Sequence, residues 1–217
     1  MIQDHVLFLD GEAMVIDKPA GLPVDSPRDG ALSLENHLSH LTFGFHRWPQ
    51  AVHRLDRDTS GCLLLSRNPK AHARLQQAFE RGEVAKRYVA ILDGIPDAAE
   101  GKIDLALGKV STRESGWRMT GDPKGKAART AWRVLASHEG RALVEFRPET
   151  GRTHQIRVHA LEGLGAAVVG DPVYGVASAA GMMLHAIALS VPRAGKTPVE
   201  ATAPWPDRFT AMGFTDG

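Results

Sequence analysis

Cys62-Leu63-Leu64-Leu65-Ser66-Arg67-Asn68-Pro69-Lys70-Ala71-His72-Ala73-Arg74-Leu75-Gln76-Gln77-Ala78-Phe79-Glu80-Arg81-Gly82 holds a strand, a helix start and a helix stop within one short stretch. The apolar run bounded by polar residues predicts a strand over Cys62 to Ser66. Asn68 offers a side-chain cap. Pro69 suits the first helical position, where its missing N–H is no loss, Leu75 and Phe79 share a face, and Gly82 supplies the stop. A helix is therefore expected from Pro69 to about Arg81.

Working outward, alternating segments rich in Tyr, Val and Ile predict strands at Lys86 to Leu92, Thr130 to Leu135 and Arg141 to Arg147. Val6 to Leu9 and Ala13 to Ile16 read as a hairpin about Asp10-Gly11, running into a loop made rigid by Pro19 and Pro23. Leu34, Leu38 and Leu41 recur at helical spacing behind Ser33. Ala51 to Leu55 is expected to be a strand, followed by a polar turn at Asp58 to Gly61. Thr153 to Glu162 is expected to be a helix capped by Thr153 and ended by Gly163. Further strands are expected at Met183 to Val191 and Val199 to Ala203, then a short helix at Pro206 to Met212. Strands outnumber helices without alternating regularly with them. This predicts an α+β fold, a mixed, mainly antiparallel sheet flanked by helices. No repeat or linker divides the 217 residues, so one domain over 1–217 is expected.

A hydrophobic content of 43% and a charged content of 24% set aside disordered and fibrous architectures. The longest apolar runs are far short of the roughly 20 residues that span a bilayer. Acids at Asp4, Asp10, Glu12 and Asp17 are foreign to a signal peptide, so a cytoplasmic location away from membranes is expected. Cys62 is the only cysteine, which excludes an internal disulfide and multi-thiolate zinc sites, and its apolar setting reads as core. His154 and His159 are five apart and miss the one-face spacing of a metal-binding helix. No phosphate-loop or dinucleotide fingerprint is present, so neither metal nor cofactor is expected. The net charge of +1 says nothing of a nucleic-acid partner, but its distribution does. Gly108 to Arg133 carries seven bases, among them Lys124, Lys126 and Arg129, against two acids. That stretch reads either as a phosphate-binding surface or as a solvated loop.

His53-Arg54-Leu55-Asp56 lies where the strand is expected to end. Residues two apart in a strand point the same way, so Arg54 and Asp56 would share a face while Leu55 enters the core. An arginine beside an aspartate keeps the carboxylate ionised, ready to act as nucleophile or base, and a structural ion pair is the plainer reading of the same spacing. Ser60 lacks the nucleophile elbow of a serine hydrolase.

Six stretches together resemble the RluA-type RNA pseudouridine synthases in the family's order. They are Asp17-Lys18-Pro19-Ala20-Gly21, His53-Arg54-Leu55-Asp56-Arg57-Asp58-Thr59-Ser60-Gly61, Lys86-Arg87-Tyr88-Val89-Ala90, Gly151-Arg152-Thr153-His154-Gln155-Ile156-Arg157-Val158-His159, Gly170-Asp171-Pro172-Val173-Tyr174-Gly175 and Leu184-His185-Ala186. The second and fourth are the specific ones. The resemblance implies the pseudouridine synthase catalytic fold and isomerisation of uridine in RNA without metal or cofactor. It implies that Asp56 is the catalytic aspartate, either adding to sugar or base or removing a ribose proton. Arg54 would pair with it and help extrude the base. Tyr88 would pack on the uracil and take the C5 proton, and Arg157 would be a second active-site arginine holding the aspartate.

Isomerising a uridine needs a flipped-out base, a group at the glycosidic carbon, an aromatic surface and cations, and these residues supply each. Arg152 and His154 are expected to contact RNA or to serve as scaffold. Leu22-Pro23-Val24-Asp25 departs from the histidine or serine that many relatives carry after the glycine. Many relatives also carry an N-terminal RNA-binding domain, for which Asp17 comes too early. RNA, a tRNA or ribosomal stem-loop, is then expected to be gripped by the catalytic domain itself, through Gly108 to Arg133, with no obligate protein partner. Two other readings are a non-catalytic RNA-binding protein of the same fold and a glycosidase acting through Asp56 and Asp58.

Overall fold

The computed structural model describes residues 1–27, 30–112 and 116–216. Arg113 and Glu114 of the basic stretch lie outside them. The strands are β1 Val6–Leu9, β2 Ala13–Lys18, β3 Gln50–Ala51, β4 Ser60–Ser66, β5 Ala85–Leu92, β6 Glu100–Asp104, β7 Leu107–Thr112, β8 Gly116–Gly121, β9 Arg129–His138, β10 Arg141–Pro148, β11 Leu184–Arg193 and β12 Lys196–Thr202. The α-helices are α1 Pro69–Glu80, α2 Gln155–Val158 and α3 Asp207–Thr210. A 3₁₀ segment covers Leu34–Leu41, and α2 runs on into a π-helical turn at His159–Gly163. The class is α+β. The chain forms two compact units, Met1–Lys86 with Ala186–Pro204, and Arg87–His185 with Trp205–Gly217.

In the first unit the strand order is β1-β2-β4-β11-β12, with β3 also on β4. The hairpin turn forms because the Asp10 carboxylate accepts the Glu12 and Ala13 N–H groups, each at 2.8 Å, a turn its short side chain makes locally. Every residue of β4 is buried. Cys62 and Leu64 join Ala71, Leu75 and Ala78 of α1 and Val191, Val199 and Ala201 in one core. Helix α1 forms as its end signals dictate. Asn68 accepts the Ala71 N–H at 2.9 Å, and beyond Gly82, at φ +70°, the Glu83 N–H returns to the Ala78 carbonyl at 3.0 Å. Cys62 is a core residue, and burial pushes its thiol pKa up to about 12.

One glycine fixes how closely these strands approach. Gly61 has φ +105°, and a β-carbon there would lie 2.3 Å from the Ala186 carbonyl oxygen, with backbone atoms that cannot swing aside. Gly61→Ala is expected to destabilise the protein by about 1–3 kcal/mol or more, from overpacking added to left-handed strain. Urea unfolding of the variant checks this, and an unchanged midpoint would count against the close approach.

In the second unit the order is β5-β10-β9-β6, all antiparallel, with β7 and β8 pairing as a separate hairpin. Ala90, Leu92, Val144, Phe146 and Trp132 pack with Ile156 and Ala160, so the segment after Gln155 lies on this sheet. The β7–β8 hairpin was not expected from the sequence. Its outer residues Lys109, Ser111, Trp117 and Arg118 are exposed, so no apolar alternation announces it. The expected strand at Ala51 to Leu55 is confined to β3, and residues 52–59 are irregular. The expected cap Thr153 gives way to His154, which precedes α2 at φ +55°.

Candidate active site

Asp56 is half-buried in the irregular segment 52–59 of the first unit, and the residues around it are anchored. Leu55 is buried, and the Thr59 N–H donates to the Asp56 carbonyl at 3.1 Å. Lys18 has no exposed surface, and its ammonium donates to the carbonyls of Pro19 (2.8 Å), Leu22 (2.8 Å) and Arg57 (3.0 Å). Three donors thus meet three acceptors, which such a buried group requires. The Gly21 N–H also donates to the Arg57 carbonyl at 2.9 Å, and Arg57 Nε returns to the Gly21 carbonyl at 3.3 Å. The Asp17-Lys18-Pro19 stretch is therefore the clamp that fixes the backbone on the far side of Asp56.

His53 fixes the near side. Its ring stacks on Phe79 at 4.6 Å, and Nε2 accepts the Leu64 N–H at 3.0 Å. Burial, reinforced by the Lys86 charge and only partly offset by a backbone hydrogen bond at Arg54, pushes its pKa down to about 3. His53 is thus a neutral strut. In the unfolded chain it takes up a proton near 6.5, in the folded protein only near 3. Between those values the unfolded state binds more protons, so stability falls as pH falls, by up to ~1.4 kcal/mol per pH unit. Denaturant unfolding across this window is expected to show a flatter acid limb for His53→Gln than for wild type. Parallel limbs would show that His53 does not carry the effect.

Arg54 is exposed and pairs with Asp25, Nη1 to Oδ2 at 2.9 Å. Its expected alignment with Asp56 assumed strand geometry, and the segment is not a strand, so the two-residue alternation does not apply.

In the second unit, Arg157 is 4% exposed and Asp171 fully buried, and they form a two-pronged ion pair. Nε donates to Oδ2 and Nη2 to Oδ1, both at 2.7 Å. Asp171 Oδ1 also accepts the N–H groups of Val173 (2.8 Å) and Tyr174 (3.0 Å). Burial alone would raise the Asp171 pKa, but the Arg157 hydrogen bonds and charge and the two amides outweigh it, and the net shift is downward. The Arg157 guanidinium also sits 5.0 Å over the Tyr174 ring. Tyr174 donates from its hydroxyl to the Met119 carbonyl at 3.0 Å and lies 2.9 Å from His154 Nδ1. His154 adopts its left-handed backbone with its ring stacked on Trp117 at 5.3 Å. Asp171 and Tyr174 are thus the residues that orient Arg157, and neither was assigned a role from sequence. Fourteen residues and an irregular turn separate Asp171 from Arg157, so no local pattern links them.

Gln155 holds the start of α2. Its Nε2 donates to the Arg129 carbonyl (3.0 Å) and Thr130 Oγ1 (2.9 Å), and its Oε1 accepts from Thr150 Oγ1 (2.8 Å) and the Arg152 N–H (2.9 Å). This brings Arg129 and Arg152 together, with Arg152 Nε on the Ala127 carbonyl at 3.1 Å. Lys124 and Lys126 are exposed in the turn after β8. His159 is buried between Thr130 Oγ1 (2.9 Å) and the Leu105 carbonyl (3.1 Å), a structural role, and burial lowers its pKa. Tyr88 is half-buried on β5 opposite Phe146 of β10. No cluster of metal-binding side chains occurs among the described residues.

Residues 12–162 match the family model described as RNA pseudouridylate synthase. The chain belongs to this family. The synthase is 60% identical over 217 residues to an uncharacterized RNA pseudouridine synthase of Zymomonas mobilis, covering 99% of both chains. It is 36% identical over 178 residues to ribosomal large subunit pseudouridine synthase D of the same organism, covering 79% of this chain but 56% of that longer one. Among solved structures, human RNA pseudouridylate synthase domain containing 4 superposes with a TM-score of 0.80 at 26% identity, covering 96% of this chain and 91% of that one. The synthase isomerises uridine in RNA to pseudouridine.

Proposed function

We propose that Asp56 is the catalytic aspartate, and that the enzyme works as a single catalytic domain on uridines in tRNA or ribosomal RNA stem-loops in the cytoplasm. The observation that carries this is the clamped loop. A partly exposed carboxylate flanked by a buried leucine, a neutral histidine strut and a saturated lysine is held ready without reorganisation when substrate arrives. The reaction breaks the N1–C1′ bond and forms a C5–C1′ bond, while C5 gives up a proton and N1 gains one. Nothing is left over for a cofactor to supply. Asp56 initiates cleavage at the glycosidic carbon, Tyr88 stacks on the detached uracil and takes the C5 proton, and Arg157 is the second active-site arginine.

Arg54 serves base extrusion. Its exposed pair with Asp25 engages Nη1, so an RNA phosphate can meet the other guanidinium nitrogens without displacing Asp25. Arg129, Arg152, His154, Lys124 and Lys126 contact RNA on the side of the turn after β8. Tyr88→Phe keeps the ring and loses the hydroxyl, and single-turnover rates are expected to fall about 100-fold with RNA affinity within a few-fold of wild type. An unchanged rate would remove Tyr88 from proton transfer.

The substrate is found by mapping pseudouridine in tRNA and ribosomal RNA from cells with and without the protein. A site lost on deletion and restored by wild type but not by Asp56→Asn supports both the reaction and the residue. Full restoration by Asp56→Asn would refute the assignment.

A further inference from the structure

The first unit contains a cavity of about 650 Å³ whose lining includes none of the residues assigned to chemistry, and does include Leu38, His46, Arg47, Trp48, Gln50 and His72. Its size falls in the ~300–1,000 Å³ range of small-molecule sites, enough for a nucleotide and too small for a helix. Part of the wall is His46-Arg47-Trp48, the end of the stretch Phe43-Gly44-Phe45-His46-Arg47-Trp48, in which aromatics and bases interleave. Phe43, Phe45 and Trp48 are 44%, 38% and 60% exposed. Scattered exposed apolar residues need no explanation, but three large rings within six residues do.

The stretch is held in place rather than frayed. Arg67 is buried and donates to the carbonyls of Asp10 (2.7 Å), Thr42 (2.9 Å) and Phe43 (3.0 Å), while its guanidinium lies 3.9 Å over the Phe45 ring. Phe43 sits in the left-handed region at φ +44°, a conformation that costs a non-glycine residue about 1–2 kcal/mol. A buried cation and a strained backbone thus fix aromatic side chains at the surface.

The polar groups decide what these rings await. The two acids on the cavity wall are already engaged, Asp25 by Arg54 and Glu35 by the Ser26 hydroxyl (2.6 Å) and N–H (3.1 Å). Arg47 is exposed and has no carboxylate partner among the described residues. The cavity therefore offers a flat indole, a free guanidinium, the amide of Gln50, and Nε2 of His72, whose Nδ1 is held by Ser66 Oγ at 2.8 Å, to meet a base edge. This is the equipment with which proteins hold unpaired nucleotides, stacking for the base and a cation for the phosphate. An apolar protein segment would leave the cation and the amide unmatched. Asp25 joins the cavity to Arg54, two residues from Asp56, so the occupant lies beside the reacting nucleotide rather than in its place. We propose that this cavity binds an unpaired nucleotide of the RNA substrate flanking the modified uridine, with its base on Trp48 and its phosphate on Arg47. The proposal rests on the reading of the protein as acting on structured RNA.

The test uses the full chain with protein-free tRNA and ribosomal RNA. Ultraviolet crosslinking followed by mass spectrometry is expected to give a nucleotide adduct within residues 43–48. In equilibrium binding, Trp48→Ala and Arg47→Ala are each expected to weaken affinity roughly ten-fold, the scale of one lost stack or contact, while Trp48→Phe keeps a stacking face and stays near wild type. Thermal unfolding identifies any variant that fails to fold, and Arg47→Ala, at an exposed side chain, keeps the test intact if Trp48→Ala does. Wild-type affinity in the variants with adducts only elsewhere overturns the proposal, including the case in which the variants instead lose a protein partner. The two readings fail separately. Pseudouridine formation with unaltered binding by the variants sinks this cavity alone. An adduct at 43–48 without pseudouridine formation sinks the catalytic reading and leaves the cavity.

Discussion

Asp56→Asn is expected to reduce pseudouridine formation by at least about 10⁴-fold while leaving RNA affinity within a few-fold of wild type. The amide matches the carboxylate in shape but lacks the charge, and with it the basic, nucleophilic oxygen, that the reaction at C1′ draws on. The clamp around it does not depend on that charge. Lys18 is bonded to backbone carbonyls, His53 to the Leu64 amide, and Leu55 sits in the core, so the loop is expected to persist in the variant. Single-turnover assays on the mapped substrate, with binding measured in parallel and circular dichroism as a control, give the answer. Binding lost in step with activity would make Asp56 structural.

Asp171→Asn is the second large effect, and it acts at a distance from the reacting atoms. The amide keeps one acceptor but turns an NH₂ group toward an Arg157 nitrogen that already carries a hydrogen. The bidentate pair is broken and a buried guanidinium loses the Asp171 charge. Breaking such a pair costs about 3–5 kcal/mol. For a chain of this length that lowers the melting temperature by roughly 6–20 °C. Because the carboxylate orients Arg157, turnover well below the melting temperature is expected to fall by about 100-fold, the scale of a misplaced active-site group. A double-mutant cycle separates orientation from general damage. If Asp171 acts through Arg157, adding Asp171→Asn to Arg157→Ala changes the rate little further. Additive losses would assign Asp171 to structure alone.

What was legible in the sequence follows from the range of the interactions. Helix α1 was legible because Asn68, Pro69 and Gly82 act within one turn of their own positions. The alternating strands β5, β9 and β10 were legible because one face of each is apolar. Residues 52–55 were misread as strand because what shapes this segment comes from far along the chain. Lys18 is thirty-nine residues from Arg57, and no local propensity encodes that bond. The hairpin β7–β8 was hidden for the opposite reason, since its outward residues are polar or isolated aromatics. The proposed site was read from a set of motifs, with Asp56, Tyr88, Arg54 and Arg157 picked out by resemblance. The partners that hold them were not, because Asp25 and Asp171 meet their arginines only after folding.

The composition of the first unit has a consequence for the protein's synthesis. Strand β4, buried along its whole length, pairs with β2 and, at Leu65 and Ser66, with β3, while its remaining neighbour, β11, begins with Leu184. When Lys86 leaves the ribosome, the part of β4 that awaits β11 therefore has an open hydrogen-bonding edge, and Leu189, Val191, Val199 and Ala201 of its core have not been made. About a hundred further residues separate the two halves of this unit, which at elongation rates of about 5–20 residues per second is roughly 5–20 s. During that interval an apolar strand edge stands exposed, the feature that invites pairing with other chains. Nascent chains stalled before β11 should be the chaperone-bound, protease-sensitive form of this enzyme, and release of the strand pair β11–β12 should mark the moment at which that edge is closed.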